Sequence, residues 1–165
     1  MDGLDTACLD SPVGPITVVA DGHALHRVRF GREDGEHVPG GLAERAAAEL
    51  VEYFAGGRTE FDLTPDWQRL DETAAHVLRT LVRIAPYGQT VSYGELTTAA
   101  GLPITESRAV GTYLNGNPWP VVVPCHRVVM TDGSLGGFGS GRWRKEELLR
   151  LEGVLPATLF DAAVD

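Results

Sequence analysis

The chain has 165 residues, of which 43% are hydrophobic and 22% charged, and it carries a formal charge of −9 at neutral pH. This length suits one or two small domains with a hydrophobic core, no apolar stretch is long enough to cross a bilayer, and the acidic N-terminus lacks a signal-peptide core. Its two cysteines, Cys8 and Cys125, argue against a disulfide framework and a cysteine-rich zinc site, so we expect a reduced, cytoplasmic protein without metal or cofactor.

The first half of the chain predicts a small α/β unit. Residues 12–30 favour a β-hairpin, because a β-branched segment and an alternating segment flank Asp21-Gly22, which suits a two-residue turn. Apolar residues at helical spacing predict a helix over residues 42–54. Residues 59–63 are a further candidate strand, and no motif in this half points to chemistry.

The domain boundary falls in a polar segment, residues 62–72. It divides the chain into an N-terminal domain, residues 1–69, and a C-terminal domain, residues 70–165. The overall acidity argues against nucleic-acid binding, but the charge is unevenly spread. The first 70 residues carry 13 acidic and 6 basic side chains, a net charge of −7, whereas residues 108–150 have a net charge of +3. Weak affinity for a polyanion is therefore compatible with the second half.

Two short helices follow an amphipathic helix in the second half. Residues 71–85 have one apolar face, and Ser92 with Glu95 has the spacing of a capping box that opens a helix ending near Ala100. Another helix is predicted over residues 106–114. Two short helices joined by a glycine-containing turn make a helix-turn-helix pattern, which is more often a packing unit than a DNA-binding one.

Residues 117–129, NPWPVVVPCHRVV, carry the clearest chemical motif. The prolines remove backbone donors and fix φ, so we expect an extended segment that breaks at Pro124 and presents Cys125 on a turn. A thiol beside the imidazole of His126 and the guanidinium of Arg127 can be made a thiolate. The alternative is an inert cysteine buried in an apolar segment, as free cysteines commonly are.

Glycines and one carboxylate stand out near this motif. Gly111 lies inside a predicted helix, where glycine is less favourable than alanine by about 1 kcal/mol. A glycine at this position suggests that another backbone, DNA or another protein approaches the helix closely there. Residues 130–143 form a glycine-rich loop, interrupted by Phe138, whose backbone can approach a ligand. A last helix over residues 142–152 places Glu152 at the negative end of the helix dipole, where it is either solvated or held for chemistry.

These motifs together resemble one protein family. The string PCHRVV, preceded by RAVG and NGNP and followed by the glycine loop, Lys145 and LEG, resembles the O6-alkylguanine-DNA alkyltransferases, as do PYG and VSYGEL, over about residues 70–153. The resemblance implies an α+β fold of two small domains. These are an N-terminal α/β, ribonuclease-H-like domain and a C-terminal, mainly helical, winged-helix-like domain with the helix-turn-helix. The form is that of a bacterial single protein without an added sensing or transcription domain.

The implied function is direct-reversal DNA repair by a methylated-DNA–protein-cysteine methyltransferase. One alkyl group would pass irreversibly from O6-alkylguanine, with O4-alkylthymine as a further candidate, to Cys125. His126 would take the thiol proton through a water, and Glu152 would orient and charge-balance that histidine. Asn117 would brace the turn, and Tyr93 would donate a proton toward N3 of guanine. The implied partner is double-stranded DNA carrying the lesion, bound by a monomer.

The resemblance also implies a DNA-binding helix and a base pocket. Arg108 would enter the base stack and replace the flipped nucleotide. The backbone carbonyls of Cys125 and Val128 would read the exocyclic amine, and the Gly139 amide would face O6. The implied DNA-binding residues are Arg108, Ala109, Gly111, Tyr113 and Asn115. The implied pocket residues are Pro120, Val128, Phe138, Gly139 and Ser140.

The chemistry of such a transfer is consistent with these residue types. Attack by sulfur on the alkyl carbon needs a thiolate, and a free thiol with a pKa of about 8.5 is mostly protonated at pH 7. Guanine leaves as an anion unless a phenol such as Tyr93 protonates it. The target atom lies inside a duplex, so the base must leave the stack. Nothing in the motifs would hydrolyse a thioether, so we expect a suicide enzyme that acts once per molecule.

Four features depart from the family pattern. Phe138 stands where many relatives have tyrosine, and Gly139 where some have serine. The segment between Tyr93 and Arg108 is one residue longer than in some relatives, and Tyr113 is bulky for the recognition helix. The sequence leaves open the preferred adduct size, cooperativity along DNA and the contacts of the acidic N-terminal domain.

Two other functions remain as alternatives. A non-enzymatic lesion-binding relative would flip the base and recruit other repair factors, although such relatives lack the cysteine. An unrelated thiol hydrolase would use Cys125 and His126, but adjacent side chains point apart in an extended chain and no oxyanion-hole motif stands out.

Overall fold

The computed structural model describes residues 3–156, and its N-terminal unit is an antiparallel sheet covered by one helix. The elements are β1 (Asp5–Leu9), β2 (Ile16–Ala20), β3 (Leu25–Phe30) and α1 (Leu42–Phe54). β2 is buried along its whole length because it is the central strand and α1 packs on the sheet. Asp5 on β1 accepts a hydrogen bond from the Ala43 amide at 3.0 Å, so a buried carboxylate of the sheet satisfies an amide at the start of α1.

Two expectations for this unit are wrong in detail, and one strand was missed. The hairpin loop has four residues, 21–24, because the Asp21 carboxylate accepts two amide hydrogen bonds within it and holds the wider turn. Residues 59–63 do not form a strand, since the only pairing near them is a single bridge between Leu25 and Pro65. Strand β1 was not predicted, because its short, partly polar segment is fixed by pairing with β2.

The C-terminal unit is mainly helical and contains the expected helix-turn-helix. Its elements are α2 (Glu72–Ile84), β4 (Val91–Ser92), α3 (Tyr93–Ala99), α4 (Ser107–Asn115), β5 (Val128–Val129) and α5 (Arg142–Leu151). The predicted capping box of α3 is formed by Ser92 and Glu95, with hydrogen bonds of 2.7 and 3.0 Å. Helices α3 and α4 pack against each other and against α2, while β4 and β5 pair in parallel.

The segment over residues 117–124 lies between the two units. Trp119 is fully buried, and its indole N–H donates to the carbonyls of Leu25 at 2.9 Å and His26 at 3.1 Å. The ring of Trp67 packs edge-on against it, with centroids 5.1 Å apart. Both the N-terminal sheet and the connection between the units therefore fix the segment that leads to the cysteine.

One apolar cluster runs through both units, from β2 and α1 to α2, α4 and α5. The predicted boundary at residues 69 and 70 remains a prediction. Within residues 3–156, no helix combines the length and the apolar character needed to span a membrane.

Candidate active site

A braced extended segment delivers Cys125 to its position. The Asn117 side chain donates to the Val123 carbonyl at 2.9 Å, and its Oδ1 accepts from the Trp119 amide at 2.9 Å. Val121 has a φ of +74°, a conformation that strains a β-branched residue. Cys125 then begins a single 3₁₀ turn, as the prolines predicted. The asparagine and the strained backbone together set the direction of the turn.

The thiol of Cys125 lies at an open cavity yet is largely buried, with 9% of the residue exposed. Burial raises the pKa of this thiol, against the opposing effects of a hydrogen bond from Asn117 and the positive charge of Lys145. In the resting protein the thiol is therefore protonated. It becomes a nucleophile only when a neighbouring base removes the proton.

His126 and Glu152 form a buried pair next to the thiol in the chain. Nε2 of His126 lies 2.8 Å from Oε2 of Glu152, so the imidazole carries its hydrogen on Nε2 and donates to the carboxylate. Nδ1 is buried and has no hydrogen-bond partner in the described part of the chain. Burial lowers the pKa of His126, and the Glu152 carboxylate only partly offsets this. A neutral imidazole with a free Nδ1 is the form that can accept a proton.

Glu152 follows the last residue of α5 and accepts hydrogen bonds from three side chains. Arg127 donates from Nε to Oε1 at 2.8 Å and from Nη2 to Oε2 at 2.9 Å, and the Tyr53 hydroxyl donates to Oε2 at 2.5 Å. Burial opposes ionisation of this carboxyl, but hydrogen bonds from His126 and Arg127 hold its pKa well below the usual range. The donors outweigh the unfavourable helix dipole, so Glu152 is a fully partnered carboxylate rather than a solvated one.

Two of these donors, Tyr53 and Arg127, were missed as site residues. Tyr53 lies on α1, 99 residues before Glu152, and its place on the apolar face of a helix made it indistinguishable from a core residue. Burial and then the charge of Glu152 raise the pKa of Tyr53, so its hydroxyl stays a donor. Arg127 was expected beside the thiol, whereas its guanidinium pairs with Glu152 and the Ala85 carbonyl.

Lys145 connects the glycine loop to the turn that carries the cysteine. Its buried Nζ donates to the carbonyls of Val128 at 2.6 Å, Leu135 at 2.5 Å and Gly137 at 3.3 Å. Burial lowers its pKa to about 8, and the nearby Cys125 opposes that shift. The Val128 carbonyl, predicted to read the exocyclic amine, thus accepts a hydrogen bond from Lys145, and Val128 itself is fully buried and does not line the cavity at Cys125.

An open cavity of about 520 Å³ gives access to the thiol. The side chains of His126 and Glu152 are not part of its wall. It brings together eight of the predicted site residues: Tyr93, Asn115, Asn117, Pro120, Cys125, Phe138, Gly139 and Ser140. Residues 26–30 of the N-terminal unit form a further wall that the sequence did not predict.

Tyr93 and the glycine loop shape this cavity. Burial and then the charge of Cys125 raise the pKa of the half-buried Tyr93, so its phenol remains protonated and able to donate. Phe138 packs edge-on against Phe30 with centroids 6.4 Å apart. Ser140 Oγ is buried and has no hydrogen-bond partner among residues 3–156.

Helix α4 carries the predicted DNA-binding residues, mostly outside the cavity. Arg108 and Asn115 are exposed, and the three predicted residues between them are half-buried. A Cβ at Gly111 would meet the Tyr93 ring at 3.8 Å, which is ordinary contact, so packing within the chain does not require glycine there.

One group of possible cation ligands occurs in the described part of the chain. Oxygen and nitrogen atoms of Asp21, His26 and Asp66 lie within 4.8 Å of one another. His26 is already engaged on both ring nitrogens, with Asp21 at 3.1 Å and Arg69 at 3.2 Å. We describe this group as an ion-pair network.

An α+β fold that places a helix-turn-helix beside a buried Cys–His–Glu set defines a DNA-binding protein equipped for thiol chemistry. The family model for the ribonuclease-like domain of 6-O-methylguanine DNA methyltransferase matches residues 6–66, and that for its DNA-binding domain matches residues 72–154. The chain belongs to the 6-O-methylguanine DNA methyltransferase family. The family resemblance and the two-domain fold expected from the sequence are thereby confirmed.

Relatives of known sequence and structure agree with this assignment. The methylated-DNA–protein-cysteine methyltransferase of Mycobacterium bovis is 40% identical over 163 residues, covering 93% of this chain and 96% of the relative. A DNA base-flipping protein of Thermus thermophilus is 38% identical over 151 residues, covering 89% of this chain and 99% of the relative. The crystal structure of Mycobacterium tuberculosis OGT in complex with DNA matches with a TM-score of 0.81 at 38% identity, covering 93% of this chain and 96% of the chain in that structure.

Proposed function

We propose that the protein repairs alkylated DNA by direct reversal, moving an alkyl group from O6 of guanine to the Cys125 thiol. The observation that carries this proposal is a largely buried thiol at an open cavity, followed in the chain by a buried His126–Glu152 pair whose imidazole Nδ1 has no hydrogen-bond partner within residues 3–156. Membership of the methyltransferase family and the matching M. tuberculosis structure in complex with DNA support the same conclusion.

The transfer step follows from these groups. The thiol proton passes through a water to Nδ1 of His126, and Glu152 stabilises the imidazolium that forms. Sulfur attacks the alkyl carbon in line, the new S–C bond forms, and the C–O6 bond breaks with its electron pair going to guanine. Tyr93 donates a proton toward N3 of the departing base and regains one from solvent, so neutral guanine is restored.

The DNA must present the base outside the helix. The target atom is inside a duplex, while the acceptor sulfur is largely buried, so the nucleotide has to rotate into the cavity. We propose that Arg108, exposed on α4, fills the vacated place in the stack. Gly111 on the same helix would allow the backbone to approach the groove, and sequence-independent binding suits repair at any position.

The protein acts once. The product is a thioether at Cys125, and the mechanism supplies no step that would hydrolyse it. We also propose a cytoplasmic location, supported by the DNA substrate and by Cys8 and Cys125, which are both free thiols.

Mass spectrometry of peptides tests the function directly. The protein is mixed with duplex DNA containing O6-methylguanine, digested and weighed. We expect one methyl group per molecule, on the Cys125 peptide, with the Cys8 peptide serving as the internal control. Cys125→Ala should bind the same DNA and transfer nothing. An unmodified Cys125 peptide with the lesion intact would contradict the proposal.

A lesion-binding protein that recruits other repair factors is the second candidate. The T. thermophilus relative carries the name DNA base-flipping protein, and the match covers 89% of this chain and 99% of that relative. The presence of Cys125 with its buried His126–Glu152 pair favours transfer in this chain. Tight binding of O6-alkylguanine duplexes without any alkylated peptide would favour this candidate instead.

A further inference from the structure

Arg144 lies in the first turn of α5 and contacts both units of the protein. Its Nε donates to the Val13 carbonyl at 2.9 Å, and its Nη1 donates to the Ser140 carbonyl. Val13 is buried in the connection between β1 and β2, whereas Ser140 lies in the glycine loop and lines the cavity at Cys125. One guanidinium therefore joins the N-terminal sheet to the loop that walls the cavity.

Aromatic rings enclose the same guanidinium. Its Cζ lies 4.8 Å from the ring centre of Phe30, on β3, and 4.6 Å from that of Trp143. Among the described residues Arg144 pairs with no carboxylate, since Glu146 and Glu147 pair with other arginines of α5. Its charge is therefore directed to two carbonyls and two rings, an arrangement that suits the flat, forked guanidinium and not an ammonium.

The N-terminal end of this contact is a preformed turn. Ser11 Oγ donates to the Gly14 carbonyl at 2.6 Å and accepts from the Val13 amide at 3.1 Å. Gly14 has a φ of +96°, which suits glycine, and a Cβ built there would lie 3.6 Å from Arg144 Nη2. The turn thus presents the Val13 carbonyl to Arg144 at close range and offers the loop a fixed point of attachment.

The next residue of α5 holds the other end of the glycine loop. The Lys145 ammonium donates to the carbonyls of Leu135 and Gly137, and Arg144 donates to that of Ser140. The two residues between these points, Phe138 and Gly139, both line the cavity. The loop is therefore held before and after its cavity-lining residues, and of the two basic residues Arg144 is the one bonded to the N-terminal unit.

Phe30 provides a second connection between this guanidinium and the cavity wall. Its ring packs under Arg144 on one side and edge-on against Phe138 on the other. Burial contributes little to the position of the loop, because residues 131–134, Gly137 and Gly139 are exposed. A few side-chain contacts therefore determine where this loop lies.

We propose that Arg144 is a positioning residue for alkyl transfer, which fixes Phe138 and Gly139 beside the incoming base by tying the glycine loop to the N-terminal unit. The proposal rests on the proposed transfer to Cys125. Arg144 does not line the cavity, so it acts through the loop and touches neither base nor thiol. In-line displacement tolerates little error, since a misplacement of about 1 Å can slow a reaction about 100-fold. The N-terminal unit thus serves the reaction as a rigid support.

The test measures single-turnover rate constants of the full chain at saturating substrate. The substrates are duplex DNA containing O6-methylguanine and free O6-benzylguanine. Arg144→Met removes the donors and keeps an unbranched side chain, whereas Arg144→Lys keeps the charge but lacks the fork that reaches both carbonyls. Arg142→Met is the matched control, because Arg142 lies on the same turn, is exposed and pairs with Glu146 at 3.4 Å.

We expect Arg144→Met to slow transfer about tenfold with both substrates, because the loop contacts the base whether or not DNA carries it. Arg144→Lys should recover part of the rate, and Arg142→Met should leave the rate with the free base unchanged. The Gly141 amide, which donates to the Phe138 carbonyl at 2.9 Å, should exchange its hydrogen faster in Arg144→Met, while the amides of α2 keep their rates. The pH at which transfer is half-maximal should not move.

Each contrary result has a defined meaning. Unchanged rates with both substrates in Arg144→Met would overturn the proposal. Slowing with the duplex alone would show a contact to DNA, and a moved pH midpoint would show that the charge acts on the thiol or on His126; either would also overturn it. Absence of transfer by the unaltered chain would instead contradict the proposed function.

Thermal melting establishes that each variant is folded at the assay temperature. Should Arg144→Met melt below it, Arg144→Gln takes its place in the same comparisons, because its amide keeps one donor group for a carbonyl. The same equal slowing with both substrates is expected of Arg144→Gln, and unchanged rates in that variant would overturn the proposal.

Discussion

Tyr53→Phe removes one hydrogen bond from the Glu152 carboxylate and nothing else from its surroundings. The Tyr53 hydroxyl is buried and donates to Glu152 Oε2 at 2.5 Å, while His126 and Arg127 supply the other donors. We expect Tyr53 to act as a positioning residue. By sharing the carboxylate charge, its hydroxyl limits how strongly Glu152 attracts a proton onto His126.

The size of the effect follows from these contacts. A buried hydrogen bond to a charged group contributes about 1.5–3 kcal/mol, and the carboxylate keeps its other donors, so the free energy of unfolding should fall by about 1.5 kcal/mol. Loss of the hydroxyl leaves more negative charge for His126 and raises the pKa of that imidazole. One pKa unit corresponds to about 1.4 kcal/mol, so a shift of about half a unit to one unit is expected.

The assay is the single-turnover rate of alkyl transfer between pH 5 and 8. Transfer requires neutral His126, so the rate falls as the pH drops through the pKa of His126. In Tyr53→Phe the midpoint of that fall should move to higher pH. The matched control is Tyr87→Phe, because the Tyr87 ring lies 6.1 Å from that of Tyr53 and its hydroxyl donates to the Leu151 carbonyl at 3.3 Å.

The reasoning is refuted if the pH profiles of Tyr53→Phe, Tyr87→Phe and the unaltered chain superimpose. A purely structural role for Tyr53 would lower the free energy of unfolding without moving the midpoint. In that case Arg127 and His126 alone set the state of Glu152.

Three further perturbations have defined outcomes. Burial lowers the pKa of His126 in the folded protein, so as the pH drops below about 6.5 this histidine binds a proton more readily in the unfolded chain than in the folded one. The free energy of unfolding, measured in urea, should therefore fall with decreasing pH. His126→Gln should make that free energy less dependent on pH between pH 7 and 5. Arg108→Ala should slow transfer from duplex DNA but leave the rate with free O6-benzylguanine largely intact; equal loss with both substrates would exclude a role in flipping. Lys145→Met, similar in length, should leave the carbonyls of Val128 and Leu135 without their donor and lower the free energy of unfolding by about 2–4 kcal/mol, measured by urea titration. An unchanged midpoint would contradict that role of the lysine.

The helices of the C-terminal unit were predictable because their signals are local. The apolar face of α2 and the Ser92–Glu95 capping box are both encoded within a few residues, and α2 and α3 begin within a residue or so of the expected positions. Strand β1 and the false strand at residues 59–63 show the opposite case. Whether such a segment forms a strand depends on a pairing partner that is distant in sequence.

The residues of the candidate active site also divide into those with a local sequence signal and those without one. Residues 117–126 carry a local signal, since prolines and a Cys-His pair predict a turn that presents a thiol. The local sequence pattern does not predict that Glu152 contacts His126. That expectation came only from the family resemblance. Tyr53 had no signal of either kind, because an apolar helix face conceals a hydroxyl that finds its acceptor only when the two units pack together.

Trp119 supplies an internal optical probe of the active-site cavity. Its indole is bonded to the carbonyls of Leu25 and His26 and packs on Trp67, while the prolines on either side of it line the cavity. A base entering the cavity presses on that wall, so the emission of the buried Trp119 and the half-buried Trp67 should change on ligand entry without any added label. Trp143, with 50% of its surface exposed, should be selectively quenched by iodide, which isolates the buried emission. The fold thereby allows ligand entry to be timed separately from the chemical step.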